Sequence, residues 1–360
     1  MLQCFECEKQ FTLSEKRWRC SCGGLLDVVF DCHFPLEKIK KRKPTLWRYR
    51  EAIPLQNEEN RVSFEEGFTP LREYDFNGFP VLIKHDHLFH TGSFKDRGAS
   101  VLISKIKELG ITRVVEDSSG NAACAIAAYC ARAEIGCQIF VPNNTAAHKV
   151  RQIAQYGAML IRVPGTREDT ASAALQAAEK DFYASHSWNP FFLQGTKTFA
   201  YEVCEQLGWK APDAVVLPAG NGTLLLGAFL GFNDVYQAHL VAKIPKLIAV
   251  QAQNCAPLYK AFTAQMSEIP RIIQKQTVAA GIAIADPVRG KQIIQAVQKT
   301  QGHFITVSES EIKKSLLEMD KRGLSIEPTA AATVAGISQY VSRAPSREVI
   351  VSVFTGRGIG

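Results

Sequence analysis

The sequence has no uninterrupted apolar run of the roughly 18 residues that a bilayer-spanning helix requires, although 46% of its 360 residues are hydrophobic. Its first residues, MLQCFECEKQ, lack the basic stretch and apolar segment of an export signal, and they lack the Arg- and Ser-rich pattern of a transit peptide. We therefore expect a soluble globular protein of the cytoplasm, without membrane partners.

The sequence also has little excess of one charge sign, since 42 basic and 35 acidic residues give a net charge of +7. The basic residues form one run, KIKKRK at residues 38–43. No aromatic residues interleave with it and no recognition motif accompanies it, so we interpret it as part of a solvated linker. The expected partner is a small molecule and not a nucleic acid.

The ten cysteines show no paired spacing beyond residue 30. Cys124, Cys130 and Cys204 lie in apolar helical patterns, where a reduced thiol behaves as a small buried hydrophobe. This pattern favours reduced thiols over a disulfide framework.

Four cysteines near the N-terminus differ from the others: Cys4 and Cys7 form one close pair, and Cys20 and Cys22 form a second. Two close pairs about a dozen residues apart suit a tetrahedral Cys4 zinc site. The second pair is tighter than the usual Cys-x2-Cys, so a structural zinc ribbon and a metal-free remnant both stay open. We predict a zinc-ribbon-like extension at residues 1–35 and a Pro- and charge-rich connecting arm at residues 36–66.

From about residue 80 onward, short apolar segments alternate with helical patterns. VLIKHD, TRVVED, CQIFVP and AMLIRV are typical of strands, whereas KDRGASVLISKIKELG and NAACAIAAYCARAEIG have helical periodicity. This alternation predicts an α/β protein with mostly parallel sheets covered on both faces. In such folds, ligands bind at the carboxyl ends of the strands.

Two polar loops follow predicted strands. Gly220, Asn221, Gly222 and Thr223 connect a strand directly to a helix, so backbone N–H groups and the helix dipole converge where an anion could bind. The loop is neither a Walker loop nor a G-x-G-x-x-G motif. A phosphate site and a plain tight turn therefore both remain open.

The second loop, Ser118 to Asn121, begins an Ala-rich helix, where its polar groups could hold a carboxylate or a ring hydroxyl or could simply cap the helix. Thr355 follows the last predicted strand and could equally cap a turn.

Lys95 stands at a predicted helix start, where the dipole disfavours a cation. A neutral lysine amine is the nucleophile that forms Schiff bases with carbonyls. Together, these features point to pyridoxal 5′-phosphate (PLP).

Six motifs carry a resemblance to a known family, in chain order TGSFKDRG, SSGNAA, PAGNGTLLLG, AAGIAIADPVRG, IEPTAAA and FTGRG. Their order resembles the fold type II PLP-dependent enzymes, and the chain is most similar to threonine synthases over essentially its whole length. The resemblance implies two three-layer αβα domains of mostly parallel sheet, with the cofactor in the cleft between them, and a homodimer. The large domain would span 67–100 and 190–360, and a small mobile domain 101–189.

The resemblance also implies roles for individual residues. Lys95 would hold the cofactor covalently and move protons at the substrate's Cα. Residues implied to contact the cofactor are Lys95, Phe94, Asn121, Gly220, Asn221, Gly222, Thr223, Leu224 and Thr355. Residues implied to contact the substrate are Ser118, Ser119, Ala122, His186, Ser187 and Glu327. For Glu327, a buried carboxylate at a helix start is an equal interpretation.

The implied activity is that of a carbon–oxygen lyase of threonine biosynthesis, which converts O-phosphohomoserine and water to threonine and phosphate. One departure bears on the substrate, because Phe192 stands where the family commonly has a phosphate-binding arginine. Lys149, Arg151, His186 or Lys197 could supply the charge instead. A β-elimination or β-replacement on a serine, threonine, phosphoserine or diamino acid substrate is therefore the alternative. A cofactor- or zinc-binding module without catalysis is a third hypothesis.

Three histidines, His85, His87 and His90, lie just before the lysine motif. A metal site, polar loop residues and a substrate contact by His90 are the three interpretations of this cluster.

Overall fold

The structure is a computed structural model that describes residues 1–145, 147–273, 275–345 and 347–358. The chain forms two compact units, each made of two stretches of sequence. The first unit combines Met1–Gly67 with Lys95–Thr196, and the second combines Phe68–Phe94 with Lys197–Gly360. Within the described ranges, no helix is both long and apolar enough to span a membrane.

In the described part of the chain, strands β1 to β13 lie in order at Leu2–Cys4, Gln10–Phe11, Leu26–Val28, Leu71–Phe76, Phe79–Lys84, Arg113–Glu116, Gly136–Pro142, Met159–Val163, Phe182–Tyr183, Ala214–Pro218, Lys246–Ala252, His303–Val307 and Ile350–Val353. Helices α1 to α12 lie at Leu36–Lys41, Lys95–Glu108, Asn121–Ala133, Ala147–Ala154, Arg167–Ala177, Pro190–Thr196, Thr198–Gln206, Thr223–Gln237, Pro257–Thr263, Gly290–Lys299, Glu309–Lys321 and Pro328–Val341. Single 3₁₀ turns or short 3₁₀ segments lie at Leu46–Ala52, Glu58–Asn60, Asp86–Leu88 and Ala280–Ile282.

The first unit is built on a four-stranded parallel sheet in the order β8-β7-β6-β9. Helix α2 packs against α3 and α6. The approach to α6 is close, because a Cβ atom added to Gly98 in α2 would lie 2.3 Å from Cε1 of Phe192 in α6. Phe192 is fully buried, so this aromatic ring is a core residue of the unit.

The predicted connecting arm also packs into the first unit. Trp47 and Tyr49 are buried, and the Trp47 indole donates a hydrogen bond to Ser100 Oγ in α2 at 2.9 Å. Ser100 Oγ in turn donates to the Val62 carbonyl at 2.8 Å. The arm is therefore fixed to the helix that begins at Lys95.

The N-terminal cysteine segment forms an antiparallel three-stranded sheet in the order β2-β1-β3. Trp18, between the two cysteine pairs, contacts Tyr183 and Trp188 edge to face, with ring centroids 4.9 and 5.7 Å apart. This contact fixes the N-terminal segment against residues 183–188 of the same unit.

The second unit contains a six-stranded sheet in the order β12-β11-β10-β13-β5-β4, in which only β4 runs antiparallel to its neighbour among the described strands. β4 and β5 are joined by Asn77 and Gly78, both with positive φ, as in a type I′ hairpin turn. The α/β fold class with mostly parallel sheets is confirmed. Buried Ala and Val side chains of α12 cover the strands on one face.

Candidate active site

Lys95 is the first residue of α2, as the sequence predicts. Its side-chain nitrogen lies 5.5 Å from the ring centroid of Phe192. The following residues Asp96 and Arg97 are fully buried, so the start of the helix is embedded in the first unit. The lysine is therefore held by a rigid helix and not by a mobile loop.

The Ser118–Asn121 loop follows the carboxyl end of β6 and leads into α3, which begins at Asn121. Ser118 Oγ accepts a hydrogen bond from the backbone N–H of Gly120 at 3.2 Å. Ala122 is buried, whereas the serines and Asn121 are partly exposed. The loop thus presents polar side chains and the first N–H groups of a 13-residue helix at a strand end.

A buried pair, not anticipated from the sequence, lies beside this loop. Glu116, the last residue of β6, is fully buried, and its Oε1 lies 2.8 Å from Nδ1 of His186. Burial raises the pKa of Glu116 well above its ordinary value, and the neighbouring Asp117 raises it further. Burial likewise lowers the pKa of His186 well below its usual range, helped by the charge of Lys95. Both shifts favour neutral side chains.

Asp117 has partners of its own. It accepts hydrogen bonds from the Tyr183 hydroxyl at 2.9 Å and from Arg167 at 2.6 Å. Burial, and then the charge of Asp117, raise the pKa of Tyr183. The Arg167 guanidinium therefore forms an ion pair with the carboxylate of Asp117 directly after β6.

The other cations that could replace the expected arginine lie in different settings. Lys197, in the second unit, forms an ion pair with Asp234 at 3.0 Å. Arg151 is exposed, and the side chain of Lys149 lies outside the described residues. His186 Nδ1 is bonded to Glu116, and Ser187 Oγ lies 3.4 Å from Ser185 Oγ. His186 lies close enough to Lys95 to feel its charge, and its ring contacts Phe192 with 5.9 Å between ring centroids.

In the second unit, the loop from Gly220 to Gly222 connects β10 to the 15-residue helix α8. Gly222 has a φ of +66°, and a Cβ atom there would lie 2.3 Å from Cδ1 of Ile293. A Cβ atom on Gly220 would lie 2.9 Å from the carbonyl oxygen of Gly281. Thr223 and Leu224, the first residues of α8, are buried. The loop therefore leaves room only for backbone at both glycines.

Thr355 follows β13, which pairs with β10 in parallel, so that the two strands end on the same edge of the sheet. The Thr355 hydroxyl is fully buried and donates a hydrogen bond to Glu327 Oε1 at 2.9 Å. Glu327 caps the start of α12. The Phe94 N–H donates to the Thr355 carbonyl at 2.9 Å. The structure thus joins four of the implied elements of this unit: the glycine loop, Thr355, Glu327 and Phe94.

Two of the three histidines of the cluster, His85 and His87, belong to a packed aromatic group with Tyr74 and Phe354, whereas His90 is exposed. His85 Nε2 lies 3.0 Å from the Tyr74 hydroxyl, and the ring stacks against Tyr74. Burial lowers the pKa of His85 to about 4. Within the described ranges, these histidines do not form a group able to hold a metal.

The four N-terminal cysteines do form such a group. Their sulfur atoms lie within 4.8 Å of one another, with 3.6 Å from Cys4 to Cys22 and 3.6 Å from Cys7 to Cys20. Zinc–sulfur bonds of about 2.3 Å place the sulfurs of a tetrahedral site roughly 3.8 Å apart. The geometry fits a tetrahedral metal ion.

Sequence reasoning missed Glu116, Asp117, Arg167 and Tyr183. The available signal was two consecutive acidic residues at the end of an apolar strand, directly before the serine loop. Carboxylates at a buried strand end need a partner, but the partner's identity depends on contacts over 50 to 70 residues of sequence.

Comparison with known proteins identifies the family. Residues 62–356 match the family described as pyridoxal-phosphate dependent enzyme, and the chain belongs to this family. The threonine synthase of Methanocaldococcus jannaschii is 34% identical, with 100% of this chain and 93% of that protein covered. The threonine synthase of Methanosarcina acetivorans is 32% identical, with 99% and 91% covered. These relatives place the chain among the lyases of the family.

Solved structures agree on the fold. A PLP-dependent aspartate racemase has a TM-score of 0.73 at 22% identity, covering 92% of this chain and 98% of that chain. A threonine deaminase of Solanum lycopersicum has a TM-score of 0.71 at 22% identity, covering 88% and 87%. These proteins share the PLP fold type II architecture with this chain.

The residues present fit PLP. Gly220 and Gly222 are closely packed where a Cβ atom would lie, and the loop ends at a helix N-terminus, which suits a phosphate group. Lys95 supplies the amine that an aldehyde requires.

We expect Gly222→Ala to weaken PLP binding about tenfold or more, because the new methyl group requires Ile293 to shift in a packed site. Titration of the cofactor-free protein with PLP, followed by visible absorbance, measures the change. Gly208→Ala is the matched control, since Gly208 has a similar φ of +68° and open space around it. Equal PLP affinity in both variants would contradict the assignment of the Gly220–Gly222 loop to the cofactor phosphate.

Proposed function

We propose that the protein is a PLP-dependent lyase that converts O-phosphohomoserine and water to threonine and phosphate. The observation that carries the proposal is the identity of 34% and 32% with two threonine synthases over almost the full length of each chain. Lys95 at the start of α2 and the glycine loop before α8 supply the two groups that the cofactor needs.

The proposed cofactor contacts are assigned residue by residue. In the first unit, Lys95 would bind the aldehyde and Asn121 would donate to the ring oxygen. In the second unit, the backbone N–H groups from Gly220 to Leu224 would hold the phosphate, Thr355 would face the pyridine nitrogen, and Phe94 would line the site. Support comes from the close packing around Gly220 and Gly222 and from the burial of Thr355.

When bound, PLP supplies an electron sink for the charge that develops at the substrate's Cα. Lys95 would take the Cα proton and return it, since a lysine amine next to positive potential is easily deprotonated. Thr355 offers a hydroxyl and not a carboxylate, so it does not hold a proton on the pyridine nitrogen. A weaker electron sink of this kind favours elimination and replacement over transamination.

The substrate carboxylate would bind to Ser118, Ser119 and the N–H of Ala122. These groups lie at the N-terminus of α3, where an anion is stabilised by free N–H groups and by the helix dipole. His186 and Ser187 would face the rest of the substrate, and Glu327 would approach its amine.

A second candidate function is favoured by Phe192. The ring fills the space against Gly98 and cannot provide the bidentate recognition of a phosphate that an arginine gives. This feature suits a β-elimination or β-replacement on a serine, threonine, phosphoserine or diamino acid substrate.

We also propose a homodimer, a cytoplasmic location and a small mobile domain at residues 101–189. A structural zinc ion would bind to Cys4, Cys7, Cys20 and Cys22. The sulfur geometry supports the zinc.

Lys95→Ala should remove the visible absorbance of the bound cofactor and all turnover, because no other amine would then capture the aldehyde. Absorbance of the purified protein and its retention of PLP after dialysis measure this. Lys107→Ala, an exposed lysine on the same helix, should keep both properties. An unchanged visible band in Lys95→Ala would refute the assignment of Lys95.

We expect wild-type protein to release phosphate and threonine in equal amounts from O-phosphohomoserine. The assay should run beside a panel of β-substituted amino acids, with release of ammonia and keto acid as the readout. Turnover of a β-substituted amino acid without turnover of O-phosphohomoserine would overturn the first function in favour of the second.

Wild-type protein should contain about one zinc ion per chain, and Cys4→Ser combined with Cys22→Ser should contain none, because a tetrahedral site does not survive the loss of two thiolates. Elemental analysis of the purified proteins measures this. Cys32→Ser is the control, since Cys32 lies outside the four-cysteine group. Equal zinc in all three proteins would exclude the site.

A further inference from the structure

The pair formed by Glu116 and His186 has no role in the function proposed so far beyond general substrate contact. The two residues are 70 positions apart in sequence and meet inside the first unit. Glu116 is fully buried and His186 is 7% exposed. A buried polar pair next to the lysine is costly to form, which indicates a function for it.

Only one of the two carboxyl oxygens of Glu116 has a hydrogen-bond partner among the described residues. Its Oε1 lies against His186 Nδ1, whereas Oε2 is sealed from solvent and has no hydrogen-bond partner among the described residues. An ionised carboxylate would carry charge on that unpartnered oxygen, which is unfavourable in a low-dielectric interior. A protonated carboxyl group avoids this cost, because its O–H donates to Nδ1 and its other oxygen is an uncharged carbonyl.

The surroundings of the pair act in the same direction. Asp117 disfavours a negative charge on Glu116, while Lys95 and Arg167 disfavour a positive charge on His186. Lys95 and Arg167 also favour the ionised form of Glu116, but burial outweighs them. The neutral carboxyl and the neutral imidazole are therefore the stable combination.

This arrangement determines which ring nitrogen of His186 carries the proton. When Nδ1 accepts from the carboxyl group, the neutral ring must carry its hydrogen on Nε2. Nε2 has no hydrogen-bond partner in the described ranges and does not belong to the atoms sealed from solvent. His186 also contacts Phe192, whose ring lies 5.5 Å from the Lys95 nitrogen.

We propose that Glu116 is a positioning residue that fixes His186 with its proton on Nε2, so that His186 donates a hydrogen bond to the leaving group of the substrate. This inference rests on the proposed function. Because Phe192 stands where the family commonly has an arginine, this position offers no guanidinium to bind the leaving group. The uncharged N–H of His186 would take over part of that role. Such a donor is selective for a leaving group that offers oxygen lone pairs, of which phosphate is one.

The tautomer can be measured without substrate. In protein labelled with ¹⁵N-histidine, we expect His186 to show a protonated Nε2 and an unprotonated Nδ1, with the signal assigned by its loss in His186→Gln. The signal should not titrate as the pH passes about 6.5, the ordinary pKa of histidine. A protonated Nδ1, or titration near that pH, overturns the proposal whether or not O-phosphohomoserine is a substrate.

Variants at position 116 test the direction of the hydrogen bond. Glu116→Gln keeps an uncharged donor to Nδ1, so we expect the same tautomer and a kcat within about fivefold of wild type. Glu116→Ala removes the donor, and we expect a mixture of tautomers and a kcat about 10- to 100-fold lower, with a smaller change in KM. His186→Gln should lower kcat about 100-fold.

Cys137→Ala is the matched control, since it changes the surroundings of Glu116 but removes no hydrogen bond to His186. It should keep the tautomer and the kcat of wild type. Loss of the Nε2–H tautomer in Glu116→Gln would refute the proposal, because the amide N–H can donate to Nδ1 as the carboxyl O–H does. Equal kcat in wild type and Glu116→Ala, measured on whichever substrate the panel identifies, would refute it as well.

Discussion

The close packing of α2 against α6 is the constraint on which the first unit depends. Gly98 leaves the space that the Phe192 ring fills, and Gly195 allows the backbone of α6 to approach the carbonyl of Arg97, where a Cβ atom would lie 2.0 Å away. Two glycines on facing helices thus permit a contact that larger residues would block. Because Lys95 is the first residue of α2, this contact also fixes the position of the reactive amine. An arginine at position 192 would have to leave the packed core.

Burial also determines the chemistry of the carboxyl group at the end of β6. Glu116 is removed from solvent, so its charged form becomes unfavourable. Asp117, the next residue, accepts hydrogen bonds from Arg167 and Tyr183. Two adjacent carboxyl groups therefore have different partners: a buried imidazole for Glu116, and a guanidinium and a phenol for Asp117.

Local signals predicted much of the fold. The helix beginning at Lys95, the glycine loop before Thr223 and the parallel strands follow from periodicity and from Gly and polar residues at strand ends, all within a few residues of sequence. The hairpin at Asn77 and Gly78 also had a local signal, a dipeptide typical of type I′ turns, which the alternation of strands and helices obscured.

The site could be predicted only in part. The hydroxyl of Thr355 and the loop at Gly220 are marked by their place after strands, whereas the bond from Thr355 to Glu327 depends on how α12 docks. The pairing of Glu116 with His186 requires two strands, β6 and β9, to become neighbours. No pattern within a few residues of sequence determines which strand pairs with β6, because several apolar segments of the chain could fill that place in the sheet.

The N-terminal extension is more than an appendage of the first unit. Trp18 packs against both Tyr183 and Trp188, the two ends of a six-residue segment that contains His186. Tyr183 in turn reaches Asp117 at the end of β6. A chain shortened to begin after the cysteine pairs would lose the indole ring that packs on Tyr183 and Trp188. The placement of His186 between these two residues therefore depends in part on the N-terminal segment.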